Sequence, residues 1–308
     1  MPARYLQLYA SGELARRIAA AREILRDCTL CPWHCHVDRL AGNRGVCRTG
    51  QLPVVSSYGP HFGVERPLVG RHGSGTIFLT GCNLKCVFCQ NFDISHHGKG
   101  REVTVEQLGK MMVALWRQGC HNLNFVTPTH QVAQILAALP FAIEEGVNIP
   151  LVYNCGGYEE PATLRLLDGI FDIYMPDFKY GDSDNALRLS GAPHYVETAK
   201  AALVEMHRQV GDLNIDAAGI AVRGLLVRHL VLPEGPAGTR RVMQFIAREL
   251  SPDTYINIMD QYQPCYRAAE HPPLHRLITR AEFDEAVAMA QEEGLGRLSG
   301  IGPRPLYA

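Results

Sequence analysis

The chain has no apolar run approaching the ~20 residues that cross a bilayer, so a membrane-spanning helix is not expected. Its first residues, Met1-Pro2-Ala3-Arg4-Tyr5-Leu6, lack the continuous apolar segment of a secretory signal. It also lacks a dominant charge: 30 Lys and Arg stand against 31 Asp and Glu, and no long basic block interrupts the balance. An electrostatic footprint for nucleic acid is therefore absent. These absences predict a cytoplasmic protein with neither membrane nor nucleic-acid partners. At 308 residues it can bury a sizeable core, as one large domain or a domain with an appendage.

Cysteine, by contrast, is plentiful: there are 10, and seven fall in two tight groups between residues 28 and 89. Such clustering resembles metal ligation more than a scattered disulfide framework, which a reducing compartment disfavours. Cys120, Cys155 and Cys265 stand apart and read as ordinary thiols.

The tighter group, Cys82, Cys86 and Cys89, is spaced C-x3-C-x2-C and follows the apolar run Thr76-Ile77-Phe78-Leu79. Three thiolates at that spacing can hold three corners of an iron–sulfur cube, leaving one iron open for chemistry. A three-cysteine zinc site completed from elsewhere, or buried free thiols, are the alternatives.

The other group, Cys28, Cys31, Cys35 and Cys47, is spaced C-x2-C-x3-C-x11-C and can supply a full ligand set for a second metal centre. Zinc would make it structural and an iron–sulfur cluster electron-transferring; spacing does not separate the two, nor either from a redox-active thiol set. Gly42 and Gly45 would let the backbone return Cys47 to the first three. Before this group, residues 11–27 read as an amphipathic helix with Ser11 as N-cap and Leu14, Ile18, Ala21 and Leu25 on one face. After it, residues 51–75 are rich in glycine and proline and read as a surface connector, with His61, Glu65 and Arg66 near enough in sequence to reach the cysteine loop.

From there β-like and helical patterns alternate. Strands are expected at 76–80, 122–127, 150–154, 171–176, 224–232 and 254–259. Helices are expected at 104–118, 131–145, 161–167, 195–209, 239–250 and 279–293. Thr104 followed by Gln107 forms a capping box. Alternation of this kind implies right-handed crossovers and a parallel sheet, with ligands at the C-terminal strand ends. Six strands are too few for a closed eight-stranded barrel, and periodicity does not distinguish a partial barrel from a doubly wound sheet.

The cysteine motif, with an aromatic before its last cysteine, resembles the signature of the radical S-adenosylmethionine (SAM) enzymes. The longer run from Gly75 through Gly81-Cys82-Asn83-Leu84 to Cys86-Val87-Phe88-Cys89-Gln90-Asn91 is similar to uncharacterised relatives of the pyruvate formate-lyase activating enzyme. That resemblance implies an α/β fold, a partial six-stranded (β/α)6 TIM-type barrel over 71–308, with a Cys-rich N-terminal extension over 1–70. It also implies a 4Fe–4S cluster on Cys82, Cys86 and Cys89. SAM would be cleaved there to a 5′-deoxyadenosyl radical, using a one-electron reductant such as flavodoxin or ferredoxin.

Under the same resemblance the polar strand ends gain roles. Phe88 would lie beside the adenine or pack the cysteine loop. Thr127 and Thr129 would replace the glycine- and glutamate-containing turn that contacts the SAM amino group in related enzymes. Asn154 suits ribose hydroxyls or a carboxylate, and Gln261 and Tyr262 suit adenine or substrate. Asp177 and Lys179 are similar to an Asp and Lys near SAM and substrate in activating enzymes, a structural salt bridge being the alternative. His229 or its neighbour Arg228 would face the lumen. The substrate is either a glycyl-radical protein partner or a peptide, nucleotide or small metabolite. A non-catalytic zinc-binding interaction module is the rival of another class.

Overall fold

The computed structural model describes residues 3–300. Ten strands lie in chain order at Val54–His61 (β1), Ser74–Leu79 (β2), Arg101–Glu102 (β3), Leu123–Val126 (β4) and Leu151–Cys155 (β5), then Ile173–Pro176 (β6), Asn214–Ile215 (β7), Ala221–Leu230 (β8), Tyr255–Met259 (β9) and Leu298–Ser299 (β10). They pair in the order β10-β9-β8-β6-β5-β4-β2-β1-β3, with β7 against β8. Every neighbouring pair from β2 to β10 along this path is parallel, whereas β1 runs antiparallel to β2 and to β3. The six expected strands are β2, β4, β5, β6, β8 and β9, and the sheet they build is α/β, mostly parallel and not closed on itself among the described residues.

The helices are Tyr5–Ala10 (α1), Glu13–Ile24 (α2), Arg66–Val69 (α3), Phe92–Ser95 (α4), Val105–Arg117 (α5) and Val132–Glu144 (α6), then Pro161–Leu166 (α7), Ser183–Ser190 (α8), Tyr195–Val210 (α9), Thr239–Phe245 (α10) and Arg280–Glu292 (α11). No helix among the described residues is long and apolar enough to cross a membrane. α5 shows why these segments coil: Thr104 and Gln107 cap it reciprocally, and Leu108, Met111, Met112 and Leu115 recur on one buried face. The expected helix over 239–250 is α through Phe245 and then widens to a π turn at Ile246–Leu250.

Two expectations at the N-terminal end are corrected. Ser11 does not cap α2; its N–H closes the end of α1 on the Gln7 carbonyl, and Gly12, whose N–H donates to the Tyr9 carbonyl, precedes α2 in a left-handed conformation at φ 78°. Residues 51–75 are not a surface connector, because β1 pairs along β2 from Val55–Leu79 to His61–Ser74. Pro60 hid this strand from a sequence reading. It is tolerated because β3 pairs only with Val54 and Val55, leaving the outer edge of β1 at Pro60 without a ladder partner.

The sheet buries both faces. Leu151, Tyr153, Tyr174, Leu225, Val227, Ile256 and Ile258 point into the main core under the helices. The alternate residues Val152, Ile173, Met175 and Leu226 pack with Leu68 in a second cluster on the inner face. Leu68 belongs to α3, so the segment after β1 fills the inner face from below and leaves polar residues nearer the C-terminal strand ends.

Candidate functional site

The cysteine loop leaves β2 at Gly81, whose φ of 89° is left-handed. It is then tied down from outside: Lys85 and Val87 N–H groups donate to the Ser190 and Leu189 carbonyls, and Arg267 N–H donates to Val87. Each sulfur has an N–H or hydroxyl beside it. Leu84 N–H lies 3.3 Å from Cys82 Sγ, Ser190 Oγ 3.0 Å from Cys86 Sγ and Ser95 Oγ 3.1 Å from Cys89 Sγ. Burial pushes the Cys82 thiol up to about 12, with Cys86 adding and Lys85 opposing. Burial raises Cys86 as well, with Lys179 opposing. Thiols raised by burial yet surrounded by donors and cations suit deprotonation by a metal, which replaces the proton.

On the inner face beside this loop stands a chain of buried charge. Asp177, at the end of β6, accepts from Lys179 Nζ at 2.5 Å and from Arg228 Nε at 2.7 Å. Arg228 also donates to Asn154 Oδ1 at 2.8 Å and lies 3.7 Å from Glu65, which accepts from Asn257 Nδ2 at 3.0 Å. Burial works to raise the Asp177 carboxyl, but Arg228 and Lys179 overcome it and hold it below its ordinary value. Burial likewise works to lower Lys179, and Asp177 outweighs it, so the ammonium is held. Buried polar atoms without a partner remain: both amide atoms of Asn124, Glu65 Oε2 and Asn257 Oδ1. Such atoms are expected to meet a ligand or water.

The structure therefore brings together Asn154, Asp177 and Lys179 with Glu65 and, of the pair Arg228 and His229, Arg228, while Arg66 is exposed. Thr127 sits at the end of β4 with its N–H on the Asn154 carbonyl and φ of 60°, an outlier for a β-branched residue. Phe88 is buried and packs edge-on to Tyr262 at 6.0 Å. Gln261 is exposed at the rim, where its carbonyl accepts from Gln90, next to Cys89.

Two candidates go elsewhere. Thr129 is fully buried and donates to Glu159 at 2.8 Å, because the strained Thr127 and the following tight turn rotate it off the inner face. Tyr153 donates to the other Glu159 oxygen, and burial raises this carboxyl to about 7. His229 points opposite to Arg228, both ring nitrogens engaged by the Phe178 carbonyl and the Thr239 hydroxyl. A cleft of 630 Å³ lined by Asp182, Glu234, Arg241 and Glu282 includes neither the cysteines nor the inner-face charges.

Cys28, Cys31, Cys35 and Cys47 converge near Tyr158: burial raises the Cys31 thiol, the Trp33 N–H opposes, and Cys47, Cys28 and Cys35 add. Among the described residues no group of three or more His, Cys, Asp or Glu side chains is set for a metal ion. That holds for Cys82, Cys86 and Cys89 too; a cube, with each cysteine on its own iron, spaces its sulfurs more widely than one ion does.

Comparison with known proteins bears on this loop directly. The Radical SAM superfamily profile matches residues 76–216, which begin in β2 and include Cys82, Cys86, Cys89, Asn154, Asp177 and Lys179. An uncharacterized protein of Methanocaldococcus jannaschii is 32% identical over 289 residues, covering 91% of this chain and 78% of its own. A solved structure described as native anSMEcpe with bound AdoMet aligns at a TM-score of 0.43 and 10% identity, over 58% of this chain and about half (49%) of that one. On the superfamily profile and the archaeal relative, the chain belongs to the radical SAM superfamily.

Proposed function

We propose that Cys82, Cys86 and Cys89 hold a 4Fe–4S cluster and that the polar inner face beside them receives SAM and the hydrogen donor. The observation that carries this is the loop itself: three sulfurs, each beside an N–H or hydroxyl, adjoin an inner face with unpartnered buried polar atoms. When bound, the cluster and SAM supply one-electron reductive cleavage to a 5′-deoxyadenosyl radical that takes hydrogen from a substrate. The protein's part is to orient and to exclude water. Asp177 fixes Lys179 and Arg228, so two cations are held on the inner face against their burial. Asn154 and Thr127 offer polar atoms at neighbouring strand ends, and Gln261 and Phe88 close the rim beside the cysteine loop. Radical SAM enzymes take their electron from a reductant such as flavodoxin or ferredoxin, and the same need is proposed for this chain.

The run from Gly75 to Asn91 supports kinship with the pyruvate formate-lyase activating enzyme, and with it a glycine of a protein partner as the hydrogen donor. The concentration of Glu65, Asp177, Lys179 and Arg228 supports the second reading, a polar peptide, nucleotide or metabolite. Anaerobic reconstitution with iron, sulfide and SAM tests the common core. Dithionite-dependent release of 5′-deoxyadenosine is expected, and Cys86→Ala is expected to abolish it. Release undiminished in Cys86→Ala would remove the assignment of the cluster to this loop.

A further inference from the structure

Radical chemistry leaves the other cysteine group unused, together with a buried cation that has no carboxylate. Arg39 is 1% exposed. Its Nη2 donates to the Gly50 carbonyl at 3.0 Å, its Nη1 points at Cys28 Sγ at 3.8 Å, and its Nε has no partner. Among the described residues no Asp or Glu pairs with it in a salt bridge. A guanidinium keeps its proton, and burying it unpaired costs several kcal/mol. Something negative belongs beside it, and the side chain its Nη1 faces is the Cys28 thiol.

The backbone gathers those thiols. Cys28 N–H donates to the Val37 carbonyl and the Cys28 carbonyl accepts from His36, which pins Cys28 to the chain just after Cys35. His34 N–H turns back onto the Cys31 carbonyl. Gly45, two residues before Cys47, lies so close to Cys35 that a Cβ there would stand 2.6 Å from its sulfur. Cys28, Cys31 and Cys47 are buried and Cys35 is half-exposed, and all four are free thiols. Burying neutral thiols beside an arginine that has no carboxylate gains little. Four thiolates on a metal carry net negative charge, and that charge satisfies Arg39.

We propose that Cys28, Cys31, Cys35 and Cys47 bind a second, four-thiolate metal centre, with Arg39 as its counter-charge: an iron–sulfur cluster, which takes sulfurs spaced more widely than a single ion does, or zinc, which would have to draw the four sulfurs closer together. This centre braces the cysteine loop of the radical site. Trp33, between Cys31 and Cys35, donates its indole N–H to the Asn83 carbonyl at 2.6 Å. The Cys47 carbonyl packs against Gly81 so closely that a Cβ there would lie 2.6 Å away. Arg48 donates to the His96 carbonyl at 3.2 Å. Four short turns without helix or strand keep these contacts only if something fixes the turns, and a metal does so.

The test removes the radical site and asks whether metal stays. The full chain carrying Cys82→Ala, Cys86→Ala and Cys89→Ala is purified anaerobically and assayed for zinc, iron and acid-labile sulfide per chain. About one zinc, or about four iron with matching sulfide and a band near ~400 nm that dithionite bleaches, is expected. Cys31→Ser in that background should lose the metal, and so should Cys35→Ser, whose half-exposed position leaves the core intact. Arg39→Gln should release metal to a chelator faster. A folded triple variant with neither metal, or Cys31→Ser and Cys35→Ser variants that keep it, overturns the proposal. Bracing has its own readout. The chain has 2 tryptophans, so Trp116→Phe leaves Trp33 as the single indole. Chelation should then shift its emission to the red; unchanged emission after the metal has left refutes the bracing.

Discussion

Replacing Asp177 by asparagine keeps the shape of the inner face and removes one charge. The carboxylate serves Lys179 at 2.5 Å and Arg228 at 2.7 Å, with all three side chains largely buried, at 12%, 18% and 17% exposure. At an effective dielectric near 20, each contact is worth roughly 6 kcal/mol of Coulomb energy, most of which desolvation cancels. Removing one partner does not return the desolvation of the others, which is why breaking a buried pair costs about 3–5 kcal/mol. Glu65, 3.7 Å from Arg228, still compensates that guanidinium in part. Lys179 keeps no carboxylate within salt-bridge distance. We expect a loss of about 3 kcal/mol, a fall in Tm on the order of 6 °C for a chain of this size. The pH dependence follows: the folded carboxyl lies below its unfolded 3.8, so its contribution is present above 3.8 and lost as pH falls through the folded value. Denaturant unfolding of Asp177→Asn, Arg228→Leu and the double variant measures the coupling. A coupling under about 0.5 kcal/mol would show that the pair contributes nothing and refute the reasoning.

Glu159→Gln should flatten the wild-type pH profile. Its folded pKa is raised to about 7 from 4.5, so the stability it contributes is full below 4.5 and lost as pH rises through 7, by about 3 kcal/mol; equal slopes for both proteins would contradict this. His130 acts in the opposite sense. Burial lowers it to about 3 from 6.5, so stability is lost as pH falls through that window, and His130→Gln should resist acid better in circular dichroism. Gly81→Ala adds a Cβ against the Cys47 carbonyl at a φ of 89° and should cost at least about 1 kcal/mol in denaturant unfolding; wild-type stability would show that the contact can yield. Ser190→Ala removes the hydroxyl 3.0 Å from Cys86 Sγ and should lower the potential of the reconstituted cluster in an electron paramagnetic resonance titration, since donors to sulfur favour the reduced state; an unchanged potential contradicts the hydrogen bond.

The sequence carried the parallel core because each of its strands is a short apolar run bounded by turn residues. The strand ends carried Asn154, Asp177 and Lys179 because polar residues there have one inner face to turn to. What escaped a linear reading depended on the backbone leaving regular geometry. Thr127 and Thr129 are two apart and would share a face on a strand, but the left-handed Thr127 breaks the alternation and sends Thr129 to Glu159. Glu159 gave no signal, since the acidic pair Glu159-Glu160 after Gly156-Gly157 reads as solvated until Tyr153 and Thr129 close over Glu159. Glu65 was legible only as one of three polar residues near enough in sequence to reach the cysteine loop; the pairing of β1 with β2, hidden by the glycine- and proline-rich stretch, is what sends the chain back under the inner face. The choice between Arg228 and His229 follows from their neighbours: Asp177 and Asn154 are on one side, and Thr239 is on the other.

Residues 3–50 link the two ends of the sheet. Tyr5 donates to the Val147 and Ile149 carbonyls, just before β5 begins, and Arg4 reaches Asp168 and Asp172, just before β6. α2, roughly 18 Å long from its 12 residues, then climbs the outside of the sheet with Leu14 and Ala21 buried. Beyond it, Trp33 and Cys47 arrive at Asn83 and Gly81, on the cysteine loop at the opposite, C-terminal ends of the strands. Tyr5, Leu14, Leu25 and Leu30 share one continuous core with the residues of α6 and the outer face of the sheet. The four-cysteine segment therefore sits at the end of an anchored strap and not on a free appendage. Its position against the radical loop is fixed from both directions, by the packed helix behind it and by the contacts of Trp33 and Cys47 ahead of it.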